Sequence, residues 1–167
     1  MTEQVLVLIK PDGLKKSLTG NIISRLSEAK LKIIGAKVVC VSRELAEKHY
    51  GHVKDKPFFE ETVAYLQGKF HQTPRVLALV YEGEQAIKKV RKLAGETNPE
   101  KADPTTIRGA FGRILTNGTY ENVLHASSSR KDAKREIQLW FHPEEITNPL
   151  YRTKKIKTKN QNNLIWA

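Results

Sequence analysis

One cysteine, one methionine and an aromatic content of 7% are the scarcities of this 167-residue sequence. A single cysteine excludes an intrachain disulfide framework and leaves thiolate metal binding unsupported. Cys40 stands in Lys37-Val38-Val39-Cys40-Val41, an apolar run of strand character, and reads as core filling. That usage suits a reducing compartment. Long apolar runs are missing too. Only Val5 to Ile9 precede Lys10-Pro11, too little for a signal peptide, and no later stretch approaches a bilayer span. The expectation is a cytoplasmic protein with no membrane partner. Neither G-x-x-x-x-G-K-[ST] nor G-x-G-x-x-G occurs, so the two commonest phosphate-cradling loops are absent.

Positive charge is what the sequence has in excess. Twenty-nine Lys and Arg against eighteen Asp and Glu give a formal net charge of +11. A pI near 9.8 follows, and polyanions will be attracted, whether nucleic acid, acidic lipid or phosphorylated small molecules. Part of the excess is local, in Arg152-Thr153-Lys154-Lys155-Ile156-Lys157-Thr158-Lys159. Such a run reads as a solvated segment or a packing arm, here a basic C-terminal extension covering about 150–167. The length suits a single domain over 1–167 with one well-buried core.

Val5-Leu6-Val7-Leu8-Ile9 is continuously apolar and of strand length, which predicts a strand buried on both faces and ended by a turn at Lys10-Pro11-Asp12-Gly13. Ile22, Ile23, Leu26 and Ala29 recur with helical spacing. Lys32 to Val41 reads as a second strand, and Ser42 as the N-cap of a helix running to Tyr50. Pro57, at a first helical position, opens a further helix through Val63 and Leu66. Val76 to Tyr81 is the clearest buried strand, turning at Glu82-Gly83 into a helix that carries Ile87, Val90 and Leu93. A long stretch from Ala94 to Glu121, rich in Gly, Pro, Thr and Asn, reads as a loop of the functional or disordered kind, with a turn tip at Asn117-Gly118. A strand ending at His125 and a helix to Trp140 follow. Strand, helix, strand, helices, strand, helix, loop, strand, helix fits an α+β fold. It is a ferredoxin-like β-α-β-β-α-β sandwich, an antiparallel sheet with helices on one face, an inserted helical pair, and the long loop before the last strand.

The chemistry gathers around Asn122-Val123-Leu124-His125-Ala126-Ser127. An imidazole emerging at a strand end, small residues beside it, and the carboxylate of Glu136 one helical stretch later form a pattern suited to an activated nucleophile or a general base. A histidine at a strand end is more often a satisfied structural side chain, so the surroundings decide. Arg91, Thr97, Arg108 and Asn122, with Lys10 from the first strand end, make a phosphate-binding inventory. Planar guanidiniums match two phosphate oxygens at once and lysine adds a point charge.

Several blocks then occur in order: Val7 to Gly13, His49-Tyr50, Lys56-Pro57-Phe58-Phe59, Leu93 to Pro99, Thr106-Ile107-Arg108-Gly109, Asn122 to Ser127, and Glu136 to Phe141. Together they make the chain resemble the nucleoside diphosphate kinases from about Val5 to Glu145. The resemblance implies a ping-pong reaction in which His125, through Nδ1, takes the γ-phosphate of a nucleoside triphosphate as phosphohistidine and passes it to a diphosphate. It further implies that Glu136 orients the ring, with Ser127 hydrogen-bonded nearby, and that Lys10 and Tyr50 lie at the transferring phosphate. Arg91, Thr97 and Arg108 would clamp the phosphates, Asn122 would contact the ribose, and Phe58 would stack on the base. Mg2+ would be held mainly by nucleotide phosphates and water, with no dedicated protein metal site. A homo-oligomer is implied, hexamer favoured over tetramer.

Departures from the family pattern are Ala126, Ser128, Ala110, Thr62, a longer segment between Arg108 and Asn122, and a longer basic tail ending in Trp166-Ala167. The long segment leaves open which residue covers the far side of the base. Leu164, Ile165 and Trp166 read as an arm that docks on an apolar surface. A different class, the RNA-recognition module, shares the β-α-β-β-α-β order and the positive charge. It needs a K/R-G-F/Y-G/A-F-V-x-F/Y signature that this sequence lacks. Nucleic acid is left as a secondary partner, through Lys154 to Lys159.

Overall fold

Strand β1 (Thr2–Ile9) is the axis of the molecule, and Val5 through Ile9 are all 0% exposed in the computed structural model. Residues 2–158 and 161–166 are described, with side chains from 2 to 156. After β1 come α1 (Pro11–Lys15), α2 (Thr19–Ser27), β2 (Lys32–Cys40), α3 (Arg43–His49) and α4 (Phe59–Leu66). Next are β3 (Arg75–Glu84), α5 (Ala86–Ala94), α6 (Ile107–Phe111), β4 (Arg113–Ile114) and β5 (Tyr120–Glu121). The order closes with β6 (Leu124–Ala126), α7 (Arg130–Trp140), β7 (Thr153–Thr158) and β8 (Gln161–Trp166).

The main sheet runs β2-β3-β1-β6, antiparallel throughout. Side chains alternate across a strand, so β1 feeds two cores. Val5, Val7 and Ile9 pack with Ile22 and Leu26 of α2 and with Ala86, Val90 and Ala94 of α5. These are the two helices of the β-α-β-β-α-β unit, together on one face. Leu6 and Leu8 face Ala46 of α3, Val63 and Leu66 of α4, and Ile137 and Trp140 of α7. The inserted pair and the last helix thus cover the opposite face. This explains why β1 has no polar alternation: neither side of it meets water.

Several local expectations are corrected. Pro11 begins α1 rather than a simple turn, because proline's fixed φ and missing N–H suit a first helical position. Pro57 lies before α4, whose first residue is Phe59. Strand β3 continues through Glu82-Gly83 to Glu84, since Glu82 and Gly83 pair with Gln4 and Glu3 of β1. The stretch from Ala94 to Glu121 holds α6 and the β4–β5 hairpin, with Gly118 at φ 84° at the tip. Cys40 is not core filling. It is exposed at the end of β2, an edge strand whose outward residues are unsheltered. Ser42 caps α3 as expected, its Oγ accepting from the Leu45 N–H at 3.1 Å.

The basic tail forms a β7–β8 hairpin, with Thr153 opposite Trp166. The side chains of Leu164, Ile165 and Trp166, expected to dock as an arm, lie outside the described residues. No helix among the described residues is long and apolar enough to cross a membrane.

Candidate active site

His125 sits at the middle of β6, opposite Leu8 of β1, and its side chain is 18% exposed. The chain enters β6 through a strained turn. Val123 has φ 55°, a conformation costly for a β-branched residue, and the Leu124 N–H donates to the Asn122 carbonyl at 2.6 Å. Three bonds hold it there. The Val123 N–H donates to Asp12 Oδ2 at 3.0 Å, the Val123 carbonyl accepts from the Lys10 N–H at 2.9 Å, and Asn122 Oδ1 accepts from Lys10 Nζ at 2.7 Å. Strain of this kind persists only where surrounding contacts over-determine it, and here it sets where the imidazole emerges.

The ring is fixed from behind. His125 Nε2 lies 2.8 Å from Glu136 Oε2, and Ser127 Oγ donates to the same oxygen at 2.7 Å. Ser127 is itself held by the Leu6 N–H at 3.2 Å, and Arg135 donates to Glu136 Oε1 at 3.3 Å. With Nε2 donating to a carboxylate, the tautomer leaves the Nδ1 lone pair free, and Nδ1 has no protein partner among the described residues. Burial pulls the His125 pKa below its ordinary 6.5, Glu136 pulls the other way, and the positive charges of Lys10 and Arg108 reinforce the lowering. A neutral ring is the consequence near pH 7.

His49 packs edge-on against this ring, centroids 4.4 Å apart, and accepts from Trp140 Nε1 through its Nδ1 at 3.1 Å. Its burial, aided by the charges of Arg135 and Lys10, keeps it well below the usual histidine range. Sequence reasoning noted His49-Tyr50 as a block without giving His49 a place. Arg135 was missed altogether, since nothing in a helical sequence marks which surface arginine will reach a buried carboxylate.

The charges of Lys10 and Arg108 both reach this ring. Lys10 is 7% exposed, and burial brings its ammonium down to about 8 against the support of Asp12. Arg108 is 6% exposed, donating to the Gly95 carbonyl at 2.7 Å and the Leu124 carbonyl at 3.1 Å. Burial and then the Arg91 charge lower its pKa. Asn122 donates to the Thr97 carbonyl at 2.9 Å, tying the loop after α5 to β6. Burial raises the Tyr50 hydroxyl, so it remains a neutral donor.

A cavity of about 500 Å³ brings Lys10, Tyr50, Phe58, Thr97 and Asn122 together. Phe58 is 50% exposed on its wall, not a core residue. Its lining also takes in Glu61 and Gly118, Thr119 and Tyr120 of the β4–β5 hairpin, of which the sequence gave a place to Gly118 alone, as the turn tip. Arg91 stands apart. It lines a groove of about 920 Å³ with Gly95, Ser129 and Arg130, and its charge acts on Arg108.

A hard divalent cation needs oxygen ligands. The cavity lining offers the oxygens of Tyr50, Thr97 and Asn122 and the Glu61 carboxylate, and the Asp12 carboxylate is 0% exposed with its Oδ2 bonded to the Val123 N–H. Among the described residues His49, His125 and Glu136 have ligand atoms within 4.8 Å of one another. Two imidazoles and one carboxylate suit a borderline ion better than Mg2+. These residues would hold a hard divalent ion only together with further oxygen ligands, such as those of phosphate and water.

Comparison with known proteins agrees with this geometry. The family model for nucleoside diphosphate kinase matches residues 3–146. A nucleoside diphosphate kinase of Pyrococcus furiosus is 49% identical over 144 residues, 86% of each chain. One from Staphylococcus carnosus is 46% identical over 145 residues, 87% of this chain and 91% of the relative. Among solved structures, the Borrelia burgdorferi enzyme with bound vanadate and ADP, a transition-state mimic, superposes with a TM-score of 0.79 at 33% identity, covering 89% of this chain and 92% of that one. The Halobacterium salinarum enzyme in complex with CDP gives 0.78 at 37% identity, covering 89% and 93%. The chain belongs to the nucleoside diphosphate kinase family.

Proposed function

We propose that His125 is the phosphate carrier of this phosphotransferase, moving the γ-phosphoryl group of a nucleoside triphosphate to a nucleoside diphosphate in two half-reactions. The observation that carries this is the imidazole held at Nε2 by Glu136 with Nδ1 left free, in a ring that feels the charges of Lys10 and Arg108. The Nδ1 lone pair forms the bond to the γ-phosphorus as the bond to the β-bridging oxygen breaks. The nucleoside diphosphate leaves with that electron pair, and the positive charge gained by the ring is balanced by Glu136 across the Nε2–H bond. The second half-reaction reverses the first onto another diphosphate.

Phosphoryl transfer asks mainly for in-line positioning and charge stabilisation. Lys10 and Arg108 supply the charge, with Tyr50 as a neutral donor and Asn122 and Thr97 at the ribose and phosphate end. Arg91 acts from the adjoining groove. Phe58 offers the face on which the base stacks, in keeping with the ADP and CDP complexes of the structural relatives. Mg2+, when bound with the nucleotide, neutralises phosphate oxygens. Cytoplasmic location and a hexameric assembly complete the reading, and the exposed Ile33 and Val38 on edge strand β2 support subunit contact.

Incubation with γ-labelled ATP should label the protein with acid-labile, base-stable phosphate that a nucleoside diphosphate chases off. His125→Ala should abolish the label. Label retained in that variant, or label stable to acid, rejects the assignment.

A further inference from the structure

Lys10 is the one buried lysine among the described residues, and no carboxylate there stands within ion-pair distance of it. A buried cation without a paired anion is costly, so other contacts must offset the lost hydration. Its Nζ donates to Asn122 Oδ1 at 2.7 Å, which uses one of its three N–H groups. The ammonium also lies over the ring of Tyr65, 5.0 Å from the centroid. Tyr65, in the last turn of α4, is 3% exposed and lines the same cavity. Its ring is braced from the side. His71 meets it at a steep angle with centroids 5.4 Å apart, Phe70 lies tilted at 6.4 Å, and His71 is tied to Glu121 at 2.7 Å. Burial, and then the Asp12 charge, push the Tyr65 hydroxyl up, so the ring is a neutral phenol and offers Lys10 its π-face rather than a phenolate.

We propose that Tyr65 is the positioning residue of Lys10, its ring face holding the ammonium charged and in place while N–H groups stay free for a phosphate. The proposal rests on Lys10 meeting the transferring phosphate, as proposed above. The negative face of an aromatic ring attracts a cation without claiming a particular N–H, and the attraction grows where water is excluded. A carboxylate in the same place would hold the ammonium too, but would repel the phosphate that Lys10 must meet. Other ionisable groups act on Lys10 as well. Asp12 of α1 favours its charge and Arg108 of α6 opposes it, while His49 and His125 feel the ammonium in turn. Tyr50, His52, Glu61 and Tyr120 share the cavity lining. A test must therefore alter the Tyr65 ring alone.

Fluorine drains charge from a ring face at nearly constant shape. Tyr65→Phe, and monofluorinated and trifluorinated phenylalanine placed at position 65, form such a series on the full chain. The ionisation of Lys10 is read without catalysis, from the pH dependence of its acetylation in the intact protein, quantified by peptide mass spectrometry. In parallel, kcat/KM for a nucleoside diphosphate is followed over the same pH range. Tyr65→Phe should keep the Lys10 midpoint of the unaltered chain, since the ring face is retained. Trifluorination should lower it by about one pH unit, the worth of a desolvated cation–π contact, with the monofluorinated ring between. The alkaline limb of kcat/KM should move down by the same amount. A purely structural Tyr65 would leave the Lys10 midpoint unmoved along the series and scale kcat/KM equally at every pH, and that result overturns the proposal. A midpoint that falls while the alkaline limb stays in place refutes Lys10 at the transferring phosphate and leaves Tyr65 as the holder of the ammonium.

Discussion

At His125 the decisive quantity is which nitrogen is free and whether it is neutral. Glu136 answers the first by holding Nε2, and burial answers the second by lowering the pKa below 6.5. The partner charge works the other way at Lys10, which must be protonated to stabilise phosphate oxygens and whose ammonium titrates at about 8. The two limits give the pH dependence of the free enzyme. As pH falls, activity persists through 6.5 and declines only below it, when Nδ1 is protonated. As pH rises through about 8, activity declines because Lys10 loses its charge. A profile of kcat/KM from pH 5 to 10 should show a plateau between these limbs. Lys10→Arg should move the alkaline limb well upward, because arginine stays charged. An acid limb above 6.5 contradicts the neutral-ring reading. Both residues stood out in the sequence, but neither shift did, since each arises from neighbours distant along the chain.

Among elements, the β4–β5 hairpin shows best how structure is imposed from outside. Its strands are two residues each, far too short to persist alone. Glu121, 3% exposed, fastens it through Lys16 at 2.6 Å, Arg113 at 2.6 Å and His71 at 2.7 Å. Those three hydrogen-bond partners bring its carboxyl down to about 2 even though burial opposes the shift. The unfolded value is near 4.3, so the folded state binds fewer protons between the two. The stabilisation is therefore complete above about pH 4.3 and disappears as pH falls through about 2. Glu121→Ala leaves a nearly buried His71 facing two cations and should cost about 3 kcal/mol, the low end for a broken buried pair because Arg113 and Lys16 keep contact with water. Urea unfolding measures that loss, and hydrogen exchange should show the hairpin and Asn122 opening first. Unchanged stability would mean that the hairpin is held by other contacts. The sequence read this region as loop for a physical reason: its apolar content is low, and its ordering comes from polar contacts with residues 50 to 105 positions away.

At the scale of the molecule, β1 is screened on both faces by helices, while β2 closes one edge of the sheet with Ile33 50% and Val38 64% exposed. An unpaired edge with exposed apolar side chains invites pairing with another copy. Val38→Lys on the chain should shift sedimentation toward smaller species and lower the melting temperature, with the CD spectrum of the remaining protomer retained. The same mass at micromolar concentration would remove this edge from the proposed subunit contact.

What could be read directly from the residues was whatever depends on neighbours in the chain. The uninterrupted apolar run of β1, the helical spacing of α2 and α5, the Ser42 cap and the turn at Asn117-Gly118 follow from local periodicity and turn chemistry, and the ordered motif blocks named the family. Folding in space settled what depends on contacts remote in sequence: that Arg91 opens onto a separate groove, that Cys40 is exposed, that His49 and Arg135 brace the His125–Glu136 pair, and that Glu61 meets Thr119. Burial, electrostatic shift and the line of a hydrogen bond belong to the arrangement of segments, and no pattern along a single chain encodes them locally.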